Sequence, residues 1–447
     1  MQTMHCPALI IQGDRRQEME KIKIAIVGNG DRANVYGGYV KEERDDAEIV
    51  AVVDPNPFKR EGGKKKYNLP DDMLFESVDE FIKRGKIADA VFNCTMDNLH
   101  VSTSIPLMKA GYDILLEKPI TADKNELFEL KKCAEENGVT LMICHLLRYT
   151  PFYRGIKQLI LDGEIGHVRH METNENVGIL HSSNSYIRGK WNNSVACGSG
   201  MLLAKCCHDM DFICWLNNET EPEKVSSFGK RSWFIPENAP EGSGTRCLVD
   251  CPPEIEKNCI FSAKKVYIDH DNYPNYAWQC INKEPCDISR EERIESLKTF
   301  NPHGVCVFKT NSDIVDHQVV ITEFRNGSTS THSMTTAVPR YGREIHIVGS
   351  LGEIEGYLDG NTFTLRKYDN VSGGYSEKIF DFNKEKHAND DHFGGDSRLV
   401  DDFLKVLRKQ PASISYTGIN ESINSHLLVY AAEKSRITGK TIELDKE

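Results

Sequence analysis

The hexapeptide Gly28-Asn29-Gly30-Asp31-Arg32-Ala33 constrains the chain more than any other feature. Ile22, Ile24 and Ile26 alternate ahead of it and run into Val27, which predicts a buried strand ending at a tight turn. Ala33 to Glu43 then predicts a helix. In this order the first glycine permits the turn, the second lets the backbone approach a pyrophosphate, and the small Ala33 keeps the helix close to the strand. The opening amides of that helix, at the positive end of its dipole, favour an anion. Asp54 closes a second apolar strand, Ile49 to Val53, about twenty residues beyond the motif, where a carboxylate accepts from ribose hydroxyls and repels a 2'-phosphate. The run therefore predicts a dinucleotide site, with NAD favoured over NADP, although Lys59 and Arg60 lie nearby.

The same rhythm continues to residue 150. Further strands are expected at Ala88 to Phe92, Tyr112 to Leu116 and Val139 to Ile143. The helices expected between them are Ser77 to Arg84, Val101 to Ala110 and Lys124 to Asn137, the last two stopped by Gly111 and Gly138. Strands alternating with helices predict a doubly wound parallel sheet. After Pro151 comes one helix, Phe152 to Asp162. Longer alternating strands follow at Val168 to Asn176, Gln318 to Phe324, Ser328 to Met334 and Glu344 to Val348, and two amphipathic helices close the chain around 397–408 and 420–438. The fold class is thus α/β, a Rossmann sheet plus an α+β half with a large, mostly antiparallel sheet. Residues 1–20 read as a leader, 21–150 as the dinucleotide-binding domain and 151–447 as a substrate and oligomerisation domain, interrupted by an irregular insertion at about 236–302.

Composition narrows the function classes. A chain of 447 residues with a net charge of −12 is a poor match to a phosphate backbone, so no nucleic-acid partner is expected. No stretch approaches the ~20 apolar residues of a membrane span. Ala8 to Ile11 is too short for a signal-peptide core, which places the chain in the cytoplasm and makes its 14 cysteines free thiols or metal ligands rather than disulfides.

Two more motifs carry a family resemblance. Thr95-Met96-Asp97-Asn98-Leu99-His100 follows one strand, and Leu116-Glu117-Lys118-Pro119 follows the next. With the glycine motif, with His145 to Pro151, and with the strand at 344–348 running into Gly349-Ser350-Leu351-Gly352, the chain resembles the Gfo/Idh/MocA oxidoreductases from residue 21 to 443, outside the insertion. The resemblance implies that Thr95, Asn98 and His100 line the cofactor, that Glu117 contacts its ribose or nicotinamide end, and that Lys118 faces nicotinamide and substrate. A lysine just past a parallel strand lies in the ligand crevice, where it can orient a hydroxyl or help move its proton.

The family's second signature, a glycine turn followed by Asp and, four residues later, His, resembles Gly198 to Asp211. His208 matches the histidine, but Ala204 stands where the aspartate belongs. Lys205 lies on roughly the same helical face as His208, so the two are expected to serve the substrate together, beside Lys118. Neighbouring cations would favour a neutral imidazole base. Arg148, His181, Arg188 and Trp191 are the expected substrate contacts, since polar groups beside an aromatic face suit a carbohydrate.

Cys247-x3-Cys251-x7-Cys259 in the insertion is a candidate structural zinc clip with its fourth ligand unidentified. The resemblance implies an NAD-dependent oxidoreductase of a sugar, polyol or sugar derivative that assembles as a homo-oligomer. An NAD-requiring glycosidase, acting by transient oxidation and elimination, is the first alternative. An NAD-binding regulator without catalysis is the second.

Overall fold

The structure, a computed structural model, describes residues 20–217, 219–272 and 274–444; the expected leader, except for Glu20, lies outside them. Six strands, β1 (Ile22–Val27), β2 (Ala47–Val53), β3 (Leu74–Phe75), β4 (Ala90–Asn93), β5 (Asp113–Leu116) and β6 (Leu141–Ile143), form a parallel sheet in the order β3-β2-β1-β4-β5-β6. That order reverses between β1 and β4, which opens a crevice at the carboxyl ends of the strands. Helices α1 (Asp31–Glu43), α2 (Pro57–Tyr67), α3 (Val78–Lys83), α4 (His100–Lys109) and α5 (Lys124–Asn137) supply the crossovers. Ile24, Ile26, Val52 and Phe92 pack into one core, and Ala25, Val27, Val53 and Val91 into another, so each strand is buried on both faces.

Helix α6 (Pro151–Leu161) leads into a nine-stranded sheet made of β7 (Val168–Gly178), β8 (Pro222–Lys230), β9 (His317–Phe324), β10 (Thr329–Val338), β11 (Glu344–Gly349), β12 (Gly352–Tyr357), β13 (Thr362–Asp369), β14 (Gly374–Asp381) and β15 (Ile442–Glu443). Its order is β14-β13-β12-β11-β7-β10-β9-β8-β15, and only the β7–β10 pair is parallel. One face packs on the helices Cys207–Leu216 and Ile419–Thr438 through Met171, Val320, Met334 and Ile347. The opposite face is open. Registers carry a row from Ile379 through Thr364, Glu355, His346, Glu172 and Thr331 to Ile321, and Phe228, Tyr368 and Tyr375 lie exposed on the same side.

The insertion is not coreless. Val266, Tyr267, Trp278, Ile288 and Leu297 make a small core of their own, and Ile187, Phe234, Phe261 and Phe308 make a second. Short helical turns, with no strand among the described residues, join these centres.

Candidate active site

The turn at the end of β1 is built as its sequence requires. Gly28 has φ +82°, and a Cβ there would stand 2.7 Å from the Cys94 carbonyl oxygen. At Gly30 the situation is opposite: a Cβ would meet nothing within 4 Å. Gly30 is also the N-cap of α1 and contributes no side-chain cap, so the first amides of the helix face open space. An open cradle above uncapped amides fits a dinucleotide pyrophosphate. Asp54 is buried at the end of β2. Its two carboxylate oxygens accept from the amides of Asn29 (2.9 Å) and Asn56 (2.9 Å), tying the loop after β2 to the glycine turn. The insertion closes on the same place: the Gln279 amide donates to Asp31 (2.8 Å) and Asn56 Nδ2 to Asn282 (2.9 Å).

Several residues expected to contact the cofactor point elsewhere. The Arg32 guanidinium is paired through Nε with Glu117 at 3.1 Å and through Nη2 with Asp396. Glu117 also accepts from the Tyr36 hydroxyl (2.6 Å) and from the Lys118 amide (3.0 Å). Burial acts to raise this carboxyl, but Arg32, Lys118 and Tyr36 outweigh it and hold it below its ordinary value. A carboxylate so occupied anchors the Lys118 backbone to Arg32 and Tyr36. His100 is likewise internal; its ring nitrogens lie 2.7 Å and 3.1 Å from the carbonyls of Pro119 and Thr95, bracing the loop that carries Lys118. Thr95 bonds Asn93 (2.9 Å), and Asn98 is exposed with its Cα and Cβ against Gly198.

Lys118 reaches across to the second half, where its Nζ donates to the Ala204 carbonyl at 2.9 Å. The helix carrying the second signature breaks there, Met201–Ala204 ending before Cys207–Leu216 begins. The expected Lys205–His208 pair on one helical face therefore does not form. Lys205 instead pairs with Glu175 (3.3 Å), which also binds Arg343 (2.6 Å), and Arg343 grips Asp209 (2.8 Å). His208 is 8% exposed, and its Nδ1 is buried without a partner. Burial, then Lys118, His145 and Arg343, push its pKa well below the ordinary value, leaving a neutral imidazole. His181 is also held well below its ordinary value, by burial and then by Lys205 and Lys118. Lys118, His208 and His181 thus share one electrostatic neighbourhood.

Two expected substrate contacts are structural. Arg148, 2% exposed, donates to both oxygens of Asp211 at 2.6 Å and to the carbonyls of Tyr416 and Glu421. Asp211 is thereby taken from His208. Arg188, 1% exposed, donates to the carbonyls of Val305 (2.6 Å) and Phe261 (2.8 Å). Trp191 is half-buried at the mouth of the crevice, its Nε1 3.5 Å from Asp97, with Tyr276 6.5 Å away. Sequence reasoning missed Asp209 and Arg343. The Asp209 side chain is one residue from a matched histidine and could have been weighed; Arg343 lies 134 positions away and has no local signal.

The zinc clip does not close. Among the described residues, no three of the insertion's cysteine sulfurs fall within 4.8 Å of one another; the group that does is Cys206, Asp209 and His332. There Arg343 occupies Asp209 and the Thr173 hydroxyl occupies His332 Nδ1 (2.9 Å).

A parallel sheet with an uncapped glycine turn, and a lysine that crosses to the Ala204 carbonyl near a buried neutral histidine in a second sheet domain, define a dinucleotide-binding Rossmann architecture joined to a second sheet domain. Family models agree: residues 22–145 match the oxidoreductase family's NAD-binding Rossmann fold and 157–444 its C-terminal alpha/beta domain. The chain belongs to the Gfo/Idh/MocA oxidoreductase family. YteT of Bacillus subtilis, provisionally named as an oxidoreductase, is 26% identical over 69% of this chain and 70% of its own length. The scyllo-inositol 2-dehydrogenase (NADP(+)) IolW of the same organism is 25% identical over 44% of this chain and 52% of its own. Among solved structures, the WlbA dehydrogenase of Bordetella pertussis, in complex with NADH and UDP-GlcNAcA, has a TM-score of 0.63 at 18% identity, covering 96% of this chain and 99% of that one. The scyllo-inositol dehydrogenase of Lactobacillus casei, with NAD(H) and scyllo-inositol, gives 0.64 at 15% identity, covering 95% and 99%. At these identities the likeness establishes the fold. Among the described residues no helix is long and apolar enough to cross a membrane.

Proposed function

We propose that the protein is an NAD-dependent oxidoreductase that transfers hydride between nicotinamide and a CH–OH group of a sugar, polyol or sugar derivative. The observation that carries this reading is the Lys118 ammonium, held 2.9 Å from the Ala204 carbonyl beside the neutral His208 at the end of the Rossmann crevice. The open cradle at Gly30, the α1 amides and Asp54 would hold the dinucleotide. Bound nicotinamide supplies the hydride acceptor or donor. Lys118 orients the substrate hydroxyl by donating to its oxygen, and the uncharged His208 takes the hydroxyl proton as base. His181 and Trp191 offer a polar edge and an aromatic face to the carbohydrate ring. Asp54, the carboxylate that ends β2, supports NAD over NADP, because a negative charge at that end of the strand would repel a 2'-phosphate.

A panel of sugars, polyols and aryl glycosides incubated with NAD, followed by NADH absorbance and product chromatography, tests the reading. Substrate-dependent NADH supports it. Glycoside cleavage that requires NAD but accumulates no NADH would replace it with the glycosidase reading, which Ala204 at the aspartate position favours. Binding of NAD with turnover of nothing in the panel would favour the regulator. The open face of the nine-stranded sheet, with Phe228, Ile321, Tyr368, Tyr375 and Ile379 exposed, supports a homo-oligomer.

A further inference from the structure

Residues 392–394 hold a backbone conformation that residues with side chains rarely adopt. His392 has φ 61° and ψ 25°, Phe393 φ 52° and ψ 38°, and Gly394 φ 73° and ψ 15°, three left-handed residues in succession. Such a run persists only where its surroundings hold it, and it gathers at functional sites. The surroundings here are firm. Phe393 packs against the main core, and Arg398 Nη1 donates to the carbonyls of Phe393 and Gly394, both at 3.1 Å. Gly395 lies so close to the loop after β6 that a Cβ on it would stand 2.7 Å from the Leu146 carbonyl oxygen.

The run sets one imidazole against a carboxylate. His392 Nδ1 lies 3.0 Å from Asp396, four residues on. Asp396 is buried, which acts to raise its carboxyl, but Arg32 and His392 outweigh that and hold it well below its ordinary value. Through Arg32 the pair is tied to Glu117, and through Glu117 to the Lys118 amide. A carboxylate on Nδ1 keeps a proton there and fixes the direction of the opposite nitrogen. That Nε2 has no partner among the described residues, and the side chain is 42% exposed.

The exposed ring belongs to the neighbourhood of the reaction. Burial, then Lys118, His145, Arg343 and His392 hold His208 below its ordinary value; burial, then Lys205, Lys118, Arg343 and His392 do the same to His181. His392 therefore approaches from the far end of the chain the place where His208 and His181 meet Lys118. An ion pair made only to stabilise the fold needs neither a left-handed backbone nor a ring left half in the open.

We propose that His392 is a substrate-orienting residue whose Nε2 hydrogen-bonds a hydroxyl of the sugar or polyol other than the one that reacts at Lys118 and His208. The assignment rests on the carbohydrate substrate proposed above and narrows it to compounds with several hydroxyls, since an alcohol with one would leave His392 unused.

The test is calorimetric titration of the NAD-loaded full chain with glucose, galactose, N-acetylglucosamine, scyllo-inositol and the nitrophenyl glycosides of the three sugars, so that binding is read apart from turnover. The variants are His392→Asn and His392→Gly, both suited to a left-handed backbone. Each should unfold at a temperature equal to or above the parent's, bind NAD as the parent does, and bind the parent's best ligand about tenfold or more weakly, the effect of one lost hydrogen bond. One monodeoxy form of that ligand, lacking the hydroxyl that meets His392, should be bound alike by parent and variants. Sugar binding by a parent that forms no NADH would remove the oxidoreductase reading and leave this comparison intact. Folded variants that bind the best ligand within about twofold of the parent would overturn the proposal. So would a lowered unfolding temperature with ligand affinity unchanged, which would make His392 structural, or a parent that binds no compound of the set.

Discussion

Replacing Arg148 by methionine separates a structural arginine from a substrate-binding one. The side chain is 2% exposed and makes two 2.6 Å bonds to Asp211, itself 1% exposed. Methionine keeps much of the volume but strands the Asp211 carboxylate, and breaking a buried pair from one side costs about 3–5 kcal/mol. Two carbonyls, those of Tyr416 and Glu421, also lose their donors at 3.1 Å. The double variant Arg148→Met/Asp211→Leu removes the stranded charge. It should therefore recover most of the loss and remain below the parent by about 1–3 kcal/mol, the cost of the orphaned carbonyls. Urea unfolding followed by tryptophan fluorescence and circular dichroism measures both. On the folded fraction of Arg148→Met, KM for substrate should stay within about twofold of the parent. A single variant within about 0.5 kcal/mol of the parent, combined with a KM raised about tenfold or more, would refute the structural assignment.

Two further perturbations follow from the same geometry. Gly30→Ala should leave stability nearly unchanged, because its Cβ enters open space, yet weaken NAD binding about tenfold or more by filling the pyrophosphate cradle. Gly28→Ala, strained at φ +82° and colliding with the Cys94 carbonyl, should lower both; calorimetric titration and thermal unfolding distinguish them. Acid should destabilise the fold well before the carboxylates titrate. His145 and His208 are held well below the ordinary imidazole value, His426 and His332 at about 3 and His303 at about 4, each chiefly by burial. Their unfolded counterparts take up protons near pH 6.5, so the unfolded state binds more protons between that pH and the folded values. Stability is then present above pH 6.5 and lost as pH falls below it, each histidine contributing up to about 1.4 kcal/mol per pH unit. Urea midpoints flat from pH 7 to 5 would contradict this.

The dinucleotide half was legible in the sequence because its signals are local: a strand, a glycine turn and a helix occupy residues 22–43, and apolar runs such as Ile49 to Val53 declare strands buried on both faces. The outer strands β12–β14 were not read. β14 runs Gly374–Asp381 with five of its eight residues charged, serine or glycine, so an exposed edge strand shows little apolar alternation. The site divides in the same way. Lys118 and His208 lie in continuous motifs, whereas the partners of Arg148 and Arg32 lie 63 and 364 positions away, so the sequence offered two arginines with no sign that Asp211 and Asp396 consume them. The break after Ala204 that parts Lys205 from His208 was hidden for another reason. No glycine or proline marks it, and it is the pairing of Lys205 with Glu175 on β7 that accompanies the change of direction.

The central claim is that Lys118 works on a substrate hydroxyl at the end of a filled dinucleotide crevice. Its most direct test is Lys118→Ala, compared with the parent for NAD affinity by titration and for substrate-dependent NADH formation on the best substrate of the panel. The expected result is an intact fold, NAD affinity within a few-fold of the parent, and kcat lowered about 10²-fold to 10⁴-fold, the range of one lost acid–base or orienting group. Turnover equal to the parent in a folded Lys118→Ala protein would contradict the account.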